Sequence, residues 1–153
     1  MWKLVFAITA FAYVCASGVY AGDVQQEVKS KALAHYIMAV TYDLNGRPVE
    51  AITEYERAAR LDSTQVLPHL RLAAYYARGG MYDKTVSQLN TVLKLDPVNF
   101  QAHYLLALVY STQKKYDLAA GEYEQILKTG SKDNPGNLEI YTYLAQLYFS
   151  QNK

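Results

Sequence analysis

Three histidines, His35, His69 and His103, recur at an interval of 34 residues, and imidazole rings in register could bind a metal ion. A zinc site needs its ring nitrogens about 2.0–2.1 Å from one ion. Packed helices lie about 8–10 Å apart, so equivalent positions on successive repeats would form a ladder whose outer members cannot share an ion. We therefore predict no metal site and expect each ring to pack between the two helices of its own repeat.

The 34-residue interval is not limited to the histidines. A small residue and a tyrosine recur three residues apart in each copy, as Ala39 and Tyr42, Ala73 and Tyr76, and Ala107 and Tyr110. An alanine lets two helices approach closely, while the tyrosine ring fills the wider space one turn further on. A period of this length predicts a protein built by repeating one supersecondary unit.

The repeated unit resembles the tetratricopeptide repeat, in which leucine, a small residue and tyrosine mark the first helix of a pair. The second copy fits best, with Leu72, Ala73 and Tyr76, then Thr85, Leu89 and Val92, and finally Asp96-Pro97. Two departures stand out. His or Tyr replaces the family's Trp at the fourth position of each copy, and Ser63 stands where the first copy would have Pro.

The resemblance implies an all-α fold, a right-handed α-solenoid of antiparallel helix pairs with about three and a half repeats. The implied boundaries are 32–65, 66–99 and 100–137 for three repeats, and 138–153 for the first helix of a fourth repeat or a capping helix. In that last stretch Ala145 and Tyr148 take the small and aromatic repeat positions. The expected helices are 32–45, 48–61, 66–78, 82–95, 99–113 and 116–129.

The start of the chain does not follow the repeat. Lys3 is the only charge before an uncharged run from Leu4 to Gly22. Residues 1–21 therefore read as a secretory signal peptide cleaved after Ala21, followed by a lead-in at 22–31. The alternative is an uncleaved anchor, because about 18 apolar residues are just enough to cross a bilayer. We expect an exported protein of the bacterial periplasm or cell envelope that contacts a membrane only through residues 4–21, if these are retained.

Charge and motifs exclude several classes of function. Lys3 is one of 15 Lys and Arg, so the chain without its first 21 residues has 14 of these against 14 Asp and Glu. A neutral chain without a long basic run lacks the electrostatic footprint of nucleic-acid binding. Cys15 is the single cysteine, so the processed chain has none for a disulfide. Phosphate-loop, metalloprotease and nucleophile-elbow motifs are absent, and we predict neither an enzyme nor a cofactor.

The resemblance also implies a partner-binding groove, because the first helices of successive repeats line a concave face in that family. The predicted groove residues are Tyr36, Val40 and Asp43, then Leu70, Ala74 and Arg78, then Tyr104, Leu108 and Ser111, with Leu33, Leu44, Leu67, Ala77, Gln101 and Thr112 beside them. One branch of the family grips a carboxylate with Lys, Asn and Arg side chains, and that set is missing here: Tyr36, Val40, Arg71, Gln101 and Leu105 occupy its places. The expected partner is a protein that offers an extended or helical apolar segment. The alternative is that contacts between adjacent first helices consume these side chains.

The stretch 138–153 is more apolar than a terminal repeat needs, since such repeats usually turn a polar face outward. Either the chain is part of a longer array, or its C-terminal helix self-associates. The predicted function is a non-catalytic protein–protein interaction scaffold of the cell envelope. The alternative is the recruiting or regulatory part of an envelope enzyme complex, or of a longer multidomain protein of the same family.

Overall fold

The protein is described by a computed structural model, which covers the backbone of residues 2–130 and 136–151 and the side chains of residues 23–130 and 136–151. These residues form seven helices: α1 (Trp2–Leu44), α2 (Pro48–Leu61), α3 (Val66–Arg78), α4 (Tyr82–Leu95), α5 (Phe100–Thr112), α6 (Tyr116–Thr129) and α7 (Asn137–Ser150). No strand occurs among them. The all-α expectation is confirmed, and α2, α3, α4 and α6 have the predicted limits.

Helix α1 differs from the prediction, because it begins at Trp2 and not at Ala32. Neither glycine nor proline interrupts residues 23–44, and the pair of Glu27 and Lys31, 2.7 Å apart, supports the helix one turn before the repeat. The predicted lead-in at 22–31 is thus helical. The predicted signal, residues 1–21, lies where no side chain is described. Across the described residues, no helix combines the length and apolar character needed to cross a bilayer.

Residues 1–63 form one compact unit and residues 64–153 a second. In the first unit, α1 packs against α2 in a hairpin of two helices. Ala39 of α1 is fully buried, and so is Tyr55 of α2. The ring of Tyr36 lies 5.7 Å from that of Tyr55, whose hydroxyl donates to Asp43 at 3.4 Å. A small residue of one helix and a large ring of the other are thus both buried in this helix pair.

In the second unit the helices pack in chain order, from α3 to α7, and α3 also touches α5. One core cluster joins α3, α4 and α5 through Leu70, Ala73, Leu89, Val92, Ala102 and Leu106. Another joins α5, α6 and α7 through Ala107, Ala119, Ala120, Tyr123, Ile126, Ile140, Leu144 and Leu147. Packing between neighbours in sequence is the arrangement of a repeat protein. It places α3 and α5, the first helices of two repeats, side by side.

The small and aromatic repeat positions are buried in the first three copies but not in the last. Ala39, Ala73 and Ala107 are fully buried, Tyr76 is buried, and Tyr42 and Tyr110 are partly buried. In α7, however, Ala145 is exposed and Tyr148 keeps 38% of its surface exposed. This pair keeps the repeat positions but lies at the surface of the described chain.

The turn after each first helix repeats as well. Gly46 and Gly80 have positive φ angles of 67° and 69°, and the residue 34 positions further on, Lys114, has a φ of 58°. Left-handed backbone suits glycine and costs other residues free energy, because the Cβ atom approaches the carbonyl oxygen. Lys114 is therefore a strained copy of a glycine turn.

We expect Lys114→Gly to raise the free energy of unfolding by about 0.5–1 kcal/mol, because relief of the left-handed strain exceeds the entropy that glycine adds to the unfolded chain. Gly80→Ala is the matched reverse change and should lower it by about 1 kcal/mol, since a Cβ at Gly80 meets nothing within 4 Å and only the backbone is strained. Urea unfolding followed by circular dichroism measures both. A loss of stability in Lys114→Gly would contradict the assignment of strain to this turn.

Candidate functional site

The three histidines link the two helices of each repeat. The Nδ1 atom of His35 lies 2.6 Å from Glu54, that of His69 lies 2.7 Å from Gln88, and that of His103 lies 2.6 Å from Glu122. In each case the partner is 19 residues further along the chain. Each ring therefore lies between the helices of its own repeat, as predicted. Within residues 23–130 and 136–151, no group of three His, Cys, Asp or Glu side chains is placed to hold a metal ion.

A groove with a volume of about 390 Å³ lies between α3 and α5 in the second unit. Four side chains from each helix line it: Leu67, Leu70, Arg71 and Ala74, and Phe100, Gln101, Tyr104 and Leu105. Most of the lining is apolar. The two helices are first helices of consecutive repeats, and α4 packs against both of them.

Two apolar side chains at the rim of the groove are open to solvent. Leu67 has 54% of its surface exposed and Phe100 has 52%. They stand at the second position of α3 and the first position of α5. The Phe100 ring is stacked on Tyr104, with centroids 5.9 Å apart and planes inclined by 11°. An aromatic pair held in this way offers a preformed flat surface to a ligand.

The wall behind Tyr104 is made of further aromatic rings. Tyr104 lies 6.4 Å from Tyr143 of α7, and Tyr143 stacks on the buried Tyr123 at 5.5 Å. Burial raises the pKa of Tyr123 to about 12. Hydrogen bonds with Tyr104 and Glu139 raise the pKa of Tyr143. Both phenols are therefore neutral at physiological pH.

The groove has one charged group, the guanidinium of Arg71, and one amide, that of Gln101. Both side chains are exposed. Within the described residues Arg71 forms no ion pair, and no acidic side chain lines the groove. An apolar channel with a single free cation suits a segment that carries apolar side chains and one carboxylate.

The structure brings together only part of the predicted groove. Leu70, Ala74 and Tyr104 line it, whereas Arg78, Leu108 and Ser111 do not. The Arg78 guanidinium lies 4.5 Å from the centre of the Tyr75 ring, and the Ser111 hydroxyl donates to the backbone oxygen of Ala107 at 2.7 Å. Tyr36, Val40 and Asp43 belong to α1 in the first unit, where Tyr36 and Asp43 contact Tyr55.

Sequence reasoning missed Phe100 as a groove residue. A signal was nevertheless visible in the sequence. Ala32 and Val66 stand at the positions equivalent to Phe100, so among these three copies only the third has an aromatic ring there. The sequence analysis considered Arg71 and Leu105 only as the residues that replace the carboxylate-binding side chains of the family. They line the groove beside Leu70 and Tyr104, which adjoin them on α3 and α5.

A family model described as tetratricopeptide repeat matches residues 70–135. No curated protein matches the sequence. Solved structures share the fold. The first TPR of Spaghetti (RPAP3), bound to the HSP90 peptide SRMEEVD, has a TM-score of 0.70 at 21% identity over 82% of this chain and 96% of that chain. MamA has a TM-score of 0.70 at 21% identity over 86% and 74%.

A third similar structure is the complex of the TPR2B domain of yeast Sti1 with pHsp70, with a TM-score of 0.67 at 17% identity over 81% of this chain and 99% of that chain. At such identities the likeness concerns the fold. Together with the helices described above, it confirms the predicted fold class, an all-α solenoid of helix pairs.

Proposed function

We propose that this chain, in which residues 70–135 match the tetratricopeptide repeat model, is a non-catalytic scaffold that holds a segment of another protein between α3 and α5. Members of this fold act through surfaces made by successive helix pairs. The groove is preformed, so the partner segment is the part that becomes ordered on binding.

The observation that carries the proposal is the exposed apolar rim of the groove. Leu67 and Phe100 each keep more than half of their surface in water, although buried positions lie within one turn of both. Covering apolar surface yields roughly 25 cal/mol per Å² removed from water. A ligand that covers these two side chains gains affinity without any rearrangement of the helices.

The shape and charge of the groove define the kind of segment it takes. A volume of about 390 Å³ accommodates a few side chains of a peptide or one face of a helix. Apolar side chains would contact Leu67, Phe100 and Tyr104, and a carboxylate would meet Arg71. The segment is therefore apolar, with an acidic residue at one point along it.

We place this scaffold outside the cytoplasm, in the bacterial cell envelope. The support is the uncharged run from Leu4 to Gly22 behind Lys3. Intact-mass measurement of the chain recovered from its host tests the location. A mass that begins at Gly22 supports export with cleavage, and a full-length chain in the soluble fraction contradicts it.

Position-specific cross-linking tests the binding function. A photoreactive phenylalanine analogue at Phe100 should form covalent adducts with a partner protein in living cells, because this side chain lies at the rim of the groove. The matched control is the same analogue at Leu118 of α6, which is equally exposed, at 52%, but lies outside the groove. Adducts of equal yield at both positions, or at neither, would contradict the proposal.

A further inference from the structure

The side chains that line the groove between α3 and α5 offer more hydrogen-bond donors than acceptors. The guanidinium of Arg71 has only N–H donors, and the amide of Gln101 has two N–H donors and one carbonyl oxygen. Both side chains are exposed, and neither forms a hydrogen bond or an ion pair with another described residue. A ligand that satisfies them brings oxygen atoms that accept hydrogen bonds and few N–H groups of its own.

The hydroxyl of Tyr104 adds no donor to this set. Tyr143 donates its proton to Glu139 at 2.9 Å, so the hydrogen bond between the two phenols uses the proton of Tyr104. What Tyr104 offers to a ligand is its ring, which stacks on Phe100 with planes inclined by 11°. The two rings form a flat apolar surface, and the contact with Tyr143 of α7 fixes the position of one of them.

We propose that the segment bound in this groove is a polyproline II helix, with proline rings on Phe100 and Tyr104 and backbone carbonyl oxygens that accept from Gln101 and Arg71. The inference rests on the scaffold function proposed above and names the conformation of its ligand. A polyproline II backbone makes no internal hydrogen bonds, so its carbonyl oxygens are free to accept. Proline has no N–H, so it brings no donor that the groove would leave unpaired.

The two other conformations of a bound segment match the groove less well. An α-helix uses its carbonyl oxygens internally, so Gln101 and Arg71 would lose water without gaining a backbone acceptor. An extended segment without proline presents an N–H at every residue, and the lining has few acceptors to receive them. A polyproline II segment is also preformed, so it loses less conformational entropy when it binds an equally preformed groove.

The two walls of the groove differ in chemistry, which sets the spacing of residues in the segment. The α5 wall carries the rings of Phe100 and Tyr104, and the α3 wall carries Leu67 and Arg71. Residues three apart in polyproline II face the same side, about 9 Å from each other. An acidic residue that meets Arg71 therefore stands one or two positions from a proline that contacts the rings.

Fluorescence anisotropy with synthetic peptides tests the conformation. The first probe is a labelled peptide of about nine residues, three turns of polyproline II, with glutamate at its centre and proline elsewhere. The second has alternating alanine and leucine in place of the prolines, so it stays apolar but regains its N–H groups. We expect the full chain to bind the proline peptide at least about tenfold more tightly.

The outcomes separate this inference from the scaffold function. Equal or tighter binding of the alanine–leucine peptide overturns the polyproline II conformation, and so does a lack of binding by the proline peptide. Neither result bears on the cross-linking at Phe100 in cells, which alone decides whether the groove holds a partner protein.

Two variants of the full chain test the proposed contacts. Gln101→Met keeps the length of the side chain without its N–H donors and should weaken binding of the proline peptide by about 3- to 10-fold. Phe100→Leu keeps an apolar side chain without the flat ring and should weaken it by a similar factor. Gln125→Met is the matched control, since Gln125 is exposed on α6 and lies outside the groove. Circular dichroism checks the fold of each variant. Affinity of Gln101→Met equal to that of Gln125→Met would overturn the proposed donation to the segment.

Discussion

Tyr123→Ala should lower the free energy of unfolding by about 3–5 kcal/mol, the largest stability change that we expect from one substitution. Only 1% of the Tyr123 surface is exposed, and its ring contacts those of Tyr104 and Tyr143. Removing the ring leaves a cavity where α5, α6 and α7 meet, because helices of neighbouring repeats cannot collapse into it without losing their other contacts.

Two further variants separate the loss of the ring from other causes. Tyr123→Phe keeps the ring and should cost about 1 kcal/mol or less. Leu118→Ala removes an exposed side chain from the same helix and should stay within about 0.5 kcal/mol of the parent. Urea unfolding followed by circular dichroism measures all three. If Tyr123→Ala were as stable as Leu118→Ala, the ring would not lie in the core of three helices.

Leu67→Asp combined with Phe100→Asp should weaken binding of the partner segment by about 100-fold or more. Each substitution removes an apolar contact worth roughly 1.5–3 kcal/mol when fully covered, and 1.4 kcal/mol corresponds to a tenfold change in affinity. The new carboxylates also lie in the groove that Arg71 otherwise makes positive, so an acidic residue of the segment loses its attraction.

The same double variant should fold normally, which makes its binding defect informative. Both residues are more than half exposed, and both stand in the first turn of a helix, where a negative charge is favourable. The matched control is Val98→Asp with Leu118→Asp, which adds the same charge at exposed apolar positions outside the groove. Isothermal titration calorimetry with the segment identified by cross-linking measures the binding affinity, and thermal melts measure the stability of each variant. Equal affinity of the control and groove variants would show that the segment binds elsewhere.

The helix pairs could be predicted from the sequence because the same residue types recur at fixed positions in each repeat. Small residues such as Ala73 and large ones such as Tyr76 must recur wherever one helix pair stacks on the next, so their register marks the helix limits. The predicted limits of α2, α3, α4 and α6 therefore agree with the structure to the residue. The extension of α1 to Trp2 was not predicted, because its residues follow no repeat and only the absence of glycine and proline after residue 22 favours a helix there.

The groove was harder to predict than the fold, because it depends on side chains that break the repeat. Leu70, Ala74 and Tyr104 were found from family positions, whereas Phe100 stands at a position where the other copies have smaller aliphatic residues. Arg78 shows a different effect. Its position in the family pattern points to the groove, but the adjacent Tyr75 ring attracts the guanidinium to a different place.

The most direct test of the binding scaffold is hydrogen–deuterium exchange of the full chain, measured with and without the partner segment that the cross-linking experiment identifies. We expect the segment to slow exchange in α3 and α5, the two helices that line the groove, and to leave α4 and α6 unchanged. Exchange reports the free energy of local opening, so a bound segment protects the helices that it contacts. Protection confined to α4 or α6, or no protection at all, would contradict a binding site between the first helices of consecutive repeats.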